Sequence, residues 1–281
     1  MNNPKQAYPD GHFYSPIPSF TDIERRANEY VYDGIDFNES EQLELMFALS
    51  KYYPEFSNWL RYDPDNVYYY DSDAVCLYGM MRHFNPSKII EIGSGHSSAL
   101  MLDTSELFLH NVEFNFIDPN TERLDSILTE EDKVKHLVIK SKVQDVDLEI
   151  FDSLQANDIL FVDSSHVSKT GSDVNFVLFE ILPRLADGVL IHFHDIFYPF
   201  DYPQDWVLGG RSWNEMFALR AFLQYNNSFK MILFNTYLHD TQNQWLTANM
   251  PICLTKRDKA FMHSGSLWMQ KSTGLLEDNS L

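Results

Sequence analysis

Cysteine is scarce in this chain of 281 residues: Cys76 and Cys253 lie too far apart in sequence to suggest a C-x-x-C metal pair or a disulfide framework. No run approaches the ~18 apolar residues of a membrane span. The start, Met1-Asn-Asn-Pro-Lys-Gln6, lacks an apolar signal core, so a cytoplasmic protein without membrane contact is expected. Basic residues are few. Lys and Arg total 21 against 41 Asp and Glu, the net charge is -20, and no Lys/Arg cluster stands out. Such a chain repels a phosphate backbone, which argues against nucleic acid as a partner and leaves solubility or a saline habitat as the reading of the acidity. Repeats, low-complexity tracts and long linkers are also missing. The 44% hydrophobic content suffices to bury a full core as one large domain, or as a domain plus an extension.

The most informative stretch is Lys88-Ile-Ile-Glu-Ile-Gly-Ser-Gly-His-Ser-Ser-Ala99. Its apolar run predicts a buried strand that turns on Gly93 and Gly95 into a helix starting near Ser97. Glycines let the backbone approach a ligand, and N–H groups at a helix start can hold a carboxylate or phosphate. The next strand, Val112-Glu-Phe-Asn-Phe-Ile-Asp118, ends in an acid placed to accept both ribose hydroxyl protons. A dinucleotide site wants a third glycine where Ser98 stands, and Glu91 beside the turn suits a ligand with an ammonium group.

From Lys88 onward the pattern alternates. Strands are expected at 88–93, 112–118, 136–140, 158–163 and 188–194, with helices at 97–109, 121–128, 148–154 and 172–185 between them. This predicts an α/β fold with a doubly wound, mostly parallel sheet. After a long loop at 196–210 come a helix at 212–225 and strands at 229–238 and 265–271. Upstream, Thr21-Asp-Ile-Glu24 and Asn38-Glu-Ser-Glu41 read as helix starts, and Asp71-Ser-Asp opens a helix that stops before Asn85-Pro86. Residues 1–85 are thus expected as an irregular segment and helical lid, and 86–281 as the main domain.

The E-x-G-x-G turn with a later strand-ending acid resembles the class I S-adenosylmethionine (SAM) dependent methyltransferases. The further pattern V-D-S-S-H, a helix, then G-V-L-I-H-F-H-D resembles a bacterial group similar to small-molecule O-methyltransferases, over roughly residues 86–200. The resemblance implies a Rossmann-like, seven-stranded sheet whose last strand is antiparallel, with SAM as cofactor and a small molecule as acceptor. The (N/D/S)-P-P-(Y/F) signature of base amino-methyltransferases is absent; the corresponding strand ends Asp163-Ser-Ser-His166.

Polar residues at the carboxyl ends of the strands carry the chemistry in such a sheet. Asp163, His166, His194 and Asp195 are the candidate catalytic residues, with a histidine as proton acceptor near neutral pH. His192 reads as a core or supporting histidine. Cofactor contacts are expected from Glu91, Gly93, Gly95, His96, Ser97, Ser98, Asp118, Gln144 and Asp163. Tyr14, Tyr198, Tyr202, Trp206, Arg211 and Asn214 are candidate acceptor contacts, while Ser212 and Glu215 read as a capping box. Metal-dependent relatives place acids where Asp163, His194 and Asp195 stand. Histidine in that set suits a transition metal better than magnesium, and a metal-free route is preferred. N-methylation, a nicotinamide-linked oxidoreductase and a non-catalytic SAM-binding module remain open beside O-methylation.

Overall fold

The computed structural model describes residues 5–25, 31–109, 111–255 and 263–272. Seven strands form one sheet: β1 (Lys88–Ile92), β2 (Glu113–Ile117), β3 (Leu137–Ile139), β4 (Ile159–Val162), β5 (Leu190–His194), β6 (Phe229–Phe234) and β7 (Ser266–Lys271). Their order is β3-β2-β1-β4-β5-β7-β6. The first five run parallel, and β7 lies antiparallel between β5 and β6. The central strands are apolar on both faces because helices cover both. Alternate residues feed two cores: Ile90, Leu160, Val162 and Phe193 point to one, Ile89, Phe161 and Leu190 to the other.

Helices α1 (Phe20–Glu24), α2 (Glu39–Ser50) and α3 (Asp71–Phe84) precede the sheet. The cap of α1 is Ser19 with Asp22, two residues earlier than the Thr21/Glu24 pairing that the sequence suggests, because Ser19 is the residue in extended backbone. Helix α3 is no loose cover. Its Ala74, Val75, Cys76 and Leu77 are buried in the same core as β1 and β2, and it ends on Asn85 in left-handed backbone before Pro86.

Helices α4 (His96–Thr104), α5 (Glu122–Ile127), α6 (Glu130–Lys135) and α7 (Asp173–Phe176) follow the first, second and fourth strands. The expected helix at 148–154 is a 3-10 segment, Leu148–Ser153. The one expected at 172–185 is α-helical only over α7, then widens into a π turn and tightens before Arg184. Beyond β5 lie α8 (Gln204–Leu208), inside the expected loop, and α9 (Glu215–Leu223). The strand expected to 238 stops at Phe234, and α10 (Asn235–Thr241) and α11 (Asn243–Asn249) take over. Asn235 causes that break: its Nδ2 donates to Asp73 Oδ1 at 2.7 Å and its Oδ1 accepts from Ser266 N at 2.8 Å. No helix among the described residues is long and apolar enough to cross a membrane.

Candidate active site

The turn after β1 is fixed by a close approach. Gly93 has φ +82°, and a Cβ there would lie 1.8 Å from the carbonyl oxygen of Asp163, so any side chain forces β1 and β4 apart. Asp163 N in turn donates to Ile92 O at 2.9 Å. Glu91 is fully buried and faces the start of α4, accepting from Ser97 Oγ at 2.6 Å and Ser98 Oγ at 2.5 Å. Burial pushes its carboxyl up to about 8 against the pull of the two serines. Ser98 also accepts from Gly95 N at 2.9 Å. Its hydroxyl therefore fills the place of a third glycine and closes the turn from below.

Asp118 accepts from Ser94 N and Oγ at 2.8 and 2.9 Å on one oxygen and from Asn120 N at 2.7 Å on the other. Together with Gly93, Ile117, Val143, Gln144 and Asp163 it lines a cavity of about 410 Å³. Gln144 donates to Gly171 O at 2.9 Å, which ties its side chain to the opposite wall. His96 stacks on Tyr68 with ring centroids 5.5 Å apart.

A second cavity of about 680 Å³ adjoins the first and shares Asp163, Ser164 and Ser165 with it. His166, His194 and Asp195 line it beside Tyr68, Arg123, Trp206, Arg211, Trp213 and His263. The four strand-terminal acids and histidines expected from the sequence thus come together. His166 Nε2 lies 3.4 Å from Asp163 Oδ1 and 3.6 Å from Asp195 Oδ2, and His194 Nε2 lies 3.5 Å from Asp195 Oδ1. Asp195 stands between two imidazoles. His166 and Asp195 both adopt left-handed backbone, with φ 59° and 57°, where each strand turns sharply into its loop.

Burial opposes charge on both histidines, yet the acids prevail. Asp163, Glu215 and Asp195 hold His166 well above its usual value, and Asp195, Asp163 and Asp73 raise His194. Burial lifts Asp195 to about 6 although both histidines draw it down; for Asp163 burial is outweighed by His194 and His166, and its carboxyl falls. His192 is different: fully buried, it stacks 4.1 Å from Phe161 and 4.6 Å from Trp268, and burial keeps it neutral.

Several expectations change here. Glu215 is no cap; it is buried and its Oε2 accepts from His166 Nδ1–H at 2.8 Å, fixing that ring's tautomer and orientation. Asn214, next to it, is held by the loop, with Oδ1 accepting from Ser168 N at 2.6 Å, and lines the cavity of Tyr202 rather than the one of His166. Tyr14 is exposed and stacks with Tyr8 and Phe13, away from both cavities. Tyr198 packs on Tyr32, Phe37 and Tyr237. Tyr202 is buried and lines a third cavity of about 500 Å³ beside Pro16 and Pro18, which shares Arg211 and Trp213 with the larger one. Trp206 and Arg211 do line the larger cavity, the guanidinium 4.4 Å over the indole.

Among the described residues, one group of acids and histidine is close enough to hold a metal, and it has His166 where the sequence suggested His194. Asp163, His166 and Asp195 offer one ligand atom each within 4.8 Å of one another; His194 is not among them. With Glu215 on the far nitrogen of His166, this set fits a divalent ion: mixed carboxylate and imidazole ligands with an outer carboxylate orienting the ring.

A sheet of this order, a glycine turn closed over a strand-ending acid, and an adjoining acid-histidine cavity define a class I SAM-dependent methyltransferase, and the chain belongs to that class. A methyltransferase-domain family matches residues 90–196. A protein of Archaeoglobus fulgidus, described only as uncharacterised, is 31% identical over 187 residues, 58% of this chain and 82% of its own. Among solved structures, the O-methyltransferase TomG from Streptomyces achromogenes, in complex with SAM, is 12% identical, with 85% of this chain and 92% of that chain covered and a TM-score of 0.46. The Podospora anserina methyltransferase PaMTH1, bound to S-adenosylhomocysteine (SAH), is 15% identical, with 88% and 100% covered and a TM-score of 0.44.

Proposed function

We propose that this protein methylates a hydroxyl group of a small molecule, with SAM in the smaller cavity and the acceptor in the larger one. The observation that carries this reading is the shared wall: Asp163, Ser164 and Ser165 border both cavities, so the two ligands meet over the end of β4. SAM supplies a methyl group on a sulfonium, and the transfer is a displacement that needs an aligned oxygen freed of its proton. Asp118 takes the ribose, and the backbone at Gly93 and Gly95 underlies the methionine arm.

Asp195 accepts the hydroxyl proton: burial raises its carboxyl to about 6, and the imidazoles on its two oxygens orient it. His166, clamped by Glu215, and His194 hold the Asp195 carboxyl in place for that transfer. An amine would need less of this apparatus, which favours oxygen over nitrogen. A divalent ion held by Asp163, His166 and Asp195 would supply Lewis acidity to the hydroxyl.

The test is mass spectrometry of SAH formation with SAM and a panel of phenols, sugars and hydroxy acids. Wild type is expected to form SAH with at least one hydroxyl acceptor, and Asp195→Asn to lose about a hundredfold or more of that rate. Binding of NAD in place of SAM, or methylation confined to amines, would overturn the reading.

A further inference from the structure

The glycine turn has no spare donors of its own. Gly93 N donates to Ile117 O at 3.0 Å, Ser94 N to Asp118 at 2.8 Å and Gly95 N to Ser98 at 2.9 Å. The methionine arm of SAM nevertheless carries a carboxylate. It must settle in a chain of net charge -20, among Glu91, Asp118, Asp163 and Asp195. Beyond the N–H groups of the first turn of α4, a cation is needed there.

Arg123 supplies one. It is the second residue of α5, and its Cδ lies 2.9 Å from where a Cβ on Gly95 would stand, so the side chain crosses directly over the turn. The guanidinium carbon sits 4.5 Å from the centroid of Tyr68, and Tyr68 stacks in turn on His96, the rings 13° from parallel. Stacking by its face leaves the N–H edge of a guanidinium free to bind a carboxylate with two parallel hydrogen bonds. No ion pair among the described residues involves Arg123, although acids outnumber bases nearly two to one. It lines the larger cavity, together with Asp163, Ser164 and Ser165, the residues that this cavity shares with the smaller one.

We infer that Arg123 binds the α-carboxylate of the methionine arm of SAM and that Tyr68 and His96 hold it over the glycine turn to do so. The inference rests on the reading of the smaller cavity as the SAM site, with the methionine arm reaching past the shared wall at Asp163 to the side of the larger cavity that Arg123 lines. It makes Gly95 a requirement of the arginine's path as well as of the ligand's.

Calorimetry with two ligands separates the possibilities. SAH carries the amino-acid arm; 5′-methylthioadenosine keeps the adenosine and the sulfur but lacks it. Arg123→Ala is expected to weaken SAH about tenfold to hundredfold, the scale of a charged hydrogen-bonded pair, and to leave 5′-methylthioadenosine within about twofold. Arg123→Lys should recover part of the loss for SAH alone. Unchanged SAH affinity in Arg123→Ala overturns the inference; equal weakening of both ligands overturns it as a folding effect. Failure of the wild type to bind either ligand overturns the SAM reading itself.

Discussion

Replacing Glu91 by glutamine should stabilise this protein, and more so as the pH rises. The carboxyl is fully buried and accepts from two serine hydroxyls, and its value climbs from 4.5 to about 8. A folded-state value above the unfolded one means that the contribution to stability is complete below 4.5 and is lost as pH rises toward 8. Between those limits the unfolded chain has released its proton while the folded chain still holds it. Each pH unit in that window costs about 1.4 kcal/mol, on the order of 4 kcal/mol by pH 8. Glutamine keeps the shape, still accepts from Ser97 or Ser98, and has no proton to lose. Urea unfolding of both proteins at several pH values between about 5 and about 8 measures the gap. It should widen by about 1.4 kcal/mol per pH unit in favour of Glu91→Gln. A gap that stays constant across the window would refute the argument and place an ordinary, ionised glutamate at this position.

Asp118→Ala should weaken SAH by about 1–3 kcal/mol in calorimetry, the loss of hydrogen bonds to a charged partner, and unchanged affinity would remove it from the ribose site. Gly93→Ala combines a left-handed backbone with a 1.8 Å clash against Asp163, and should cost about 3 kcal/mol or more in chemical unfolding. Glu215→Gln should lower turnover by about tenfold to hundredfold while SAH affinity stays put; turnover equal to wild type would make Glu215 a bystander. Burial lowers both His136 and His239 to about 4, so stability present above the unfolded value of 6.5 should fall as pH drops from there toward 4. Thermal unfolding in that range, compared with a His136→Gln variant, measures the share of His136.

The glycine turn and the parallel strands were legible because each is a local signal. An apolar run such as Ile159-Leu-Phe-Val162 can only be buried, and Gly93 with Gly95 marks the turn that follows β1. Strand-terminal position alone then gathered Asp163, His166, His194 and Asp195. What joins residues across the chain was not legible. Glu215 reaches His166 over 49 positions of sequence, and a glutamate at a helix start looks the same whether it caps the helix or clamps an imidazole. Arg123 and Tyr68 meet only because α5 and the segment before α3 converge over the turn. Aromatic side chains misled in the opposite direction: Tyr198 and Tyr202 share composition with a binding wall but pack into the core, as burial of their area favours. At Phe234 the apolar pattern continues into α10, so only the side chain of Asn235 tells the strand where to stop.

The contact between Gly93 and the Asp163 carbonyl has a consequence for traffic. Two strands locked at that separation move as a single plate, so the cofactor floor and the end of β4 have no hinge between them. In the proposed reading, both ligands are then admitted by what lines the larger cavity above the plate: the segment with Val67, Tyr68 and Tyr70, and the stretch with Trp206, Arg211 and Trp213. Alignment of the reacting atoms belongs to the plate and the pace of exchange to its covers. A substitution in the covers can thus change how fast product leaves without disturbing the geometry in which it forms.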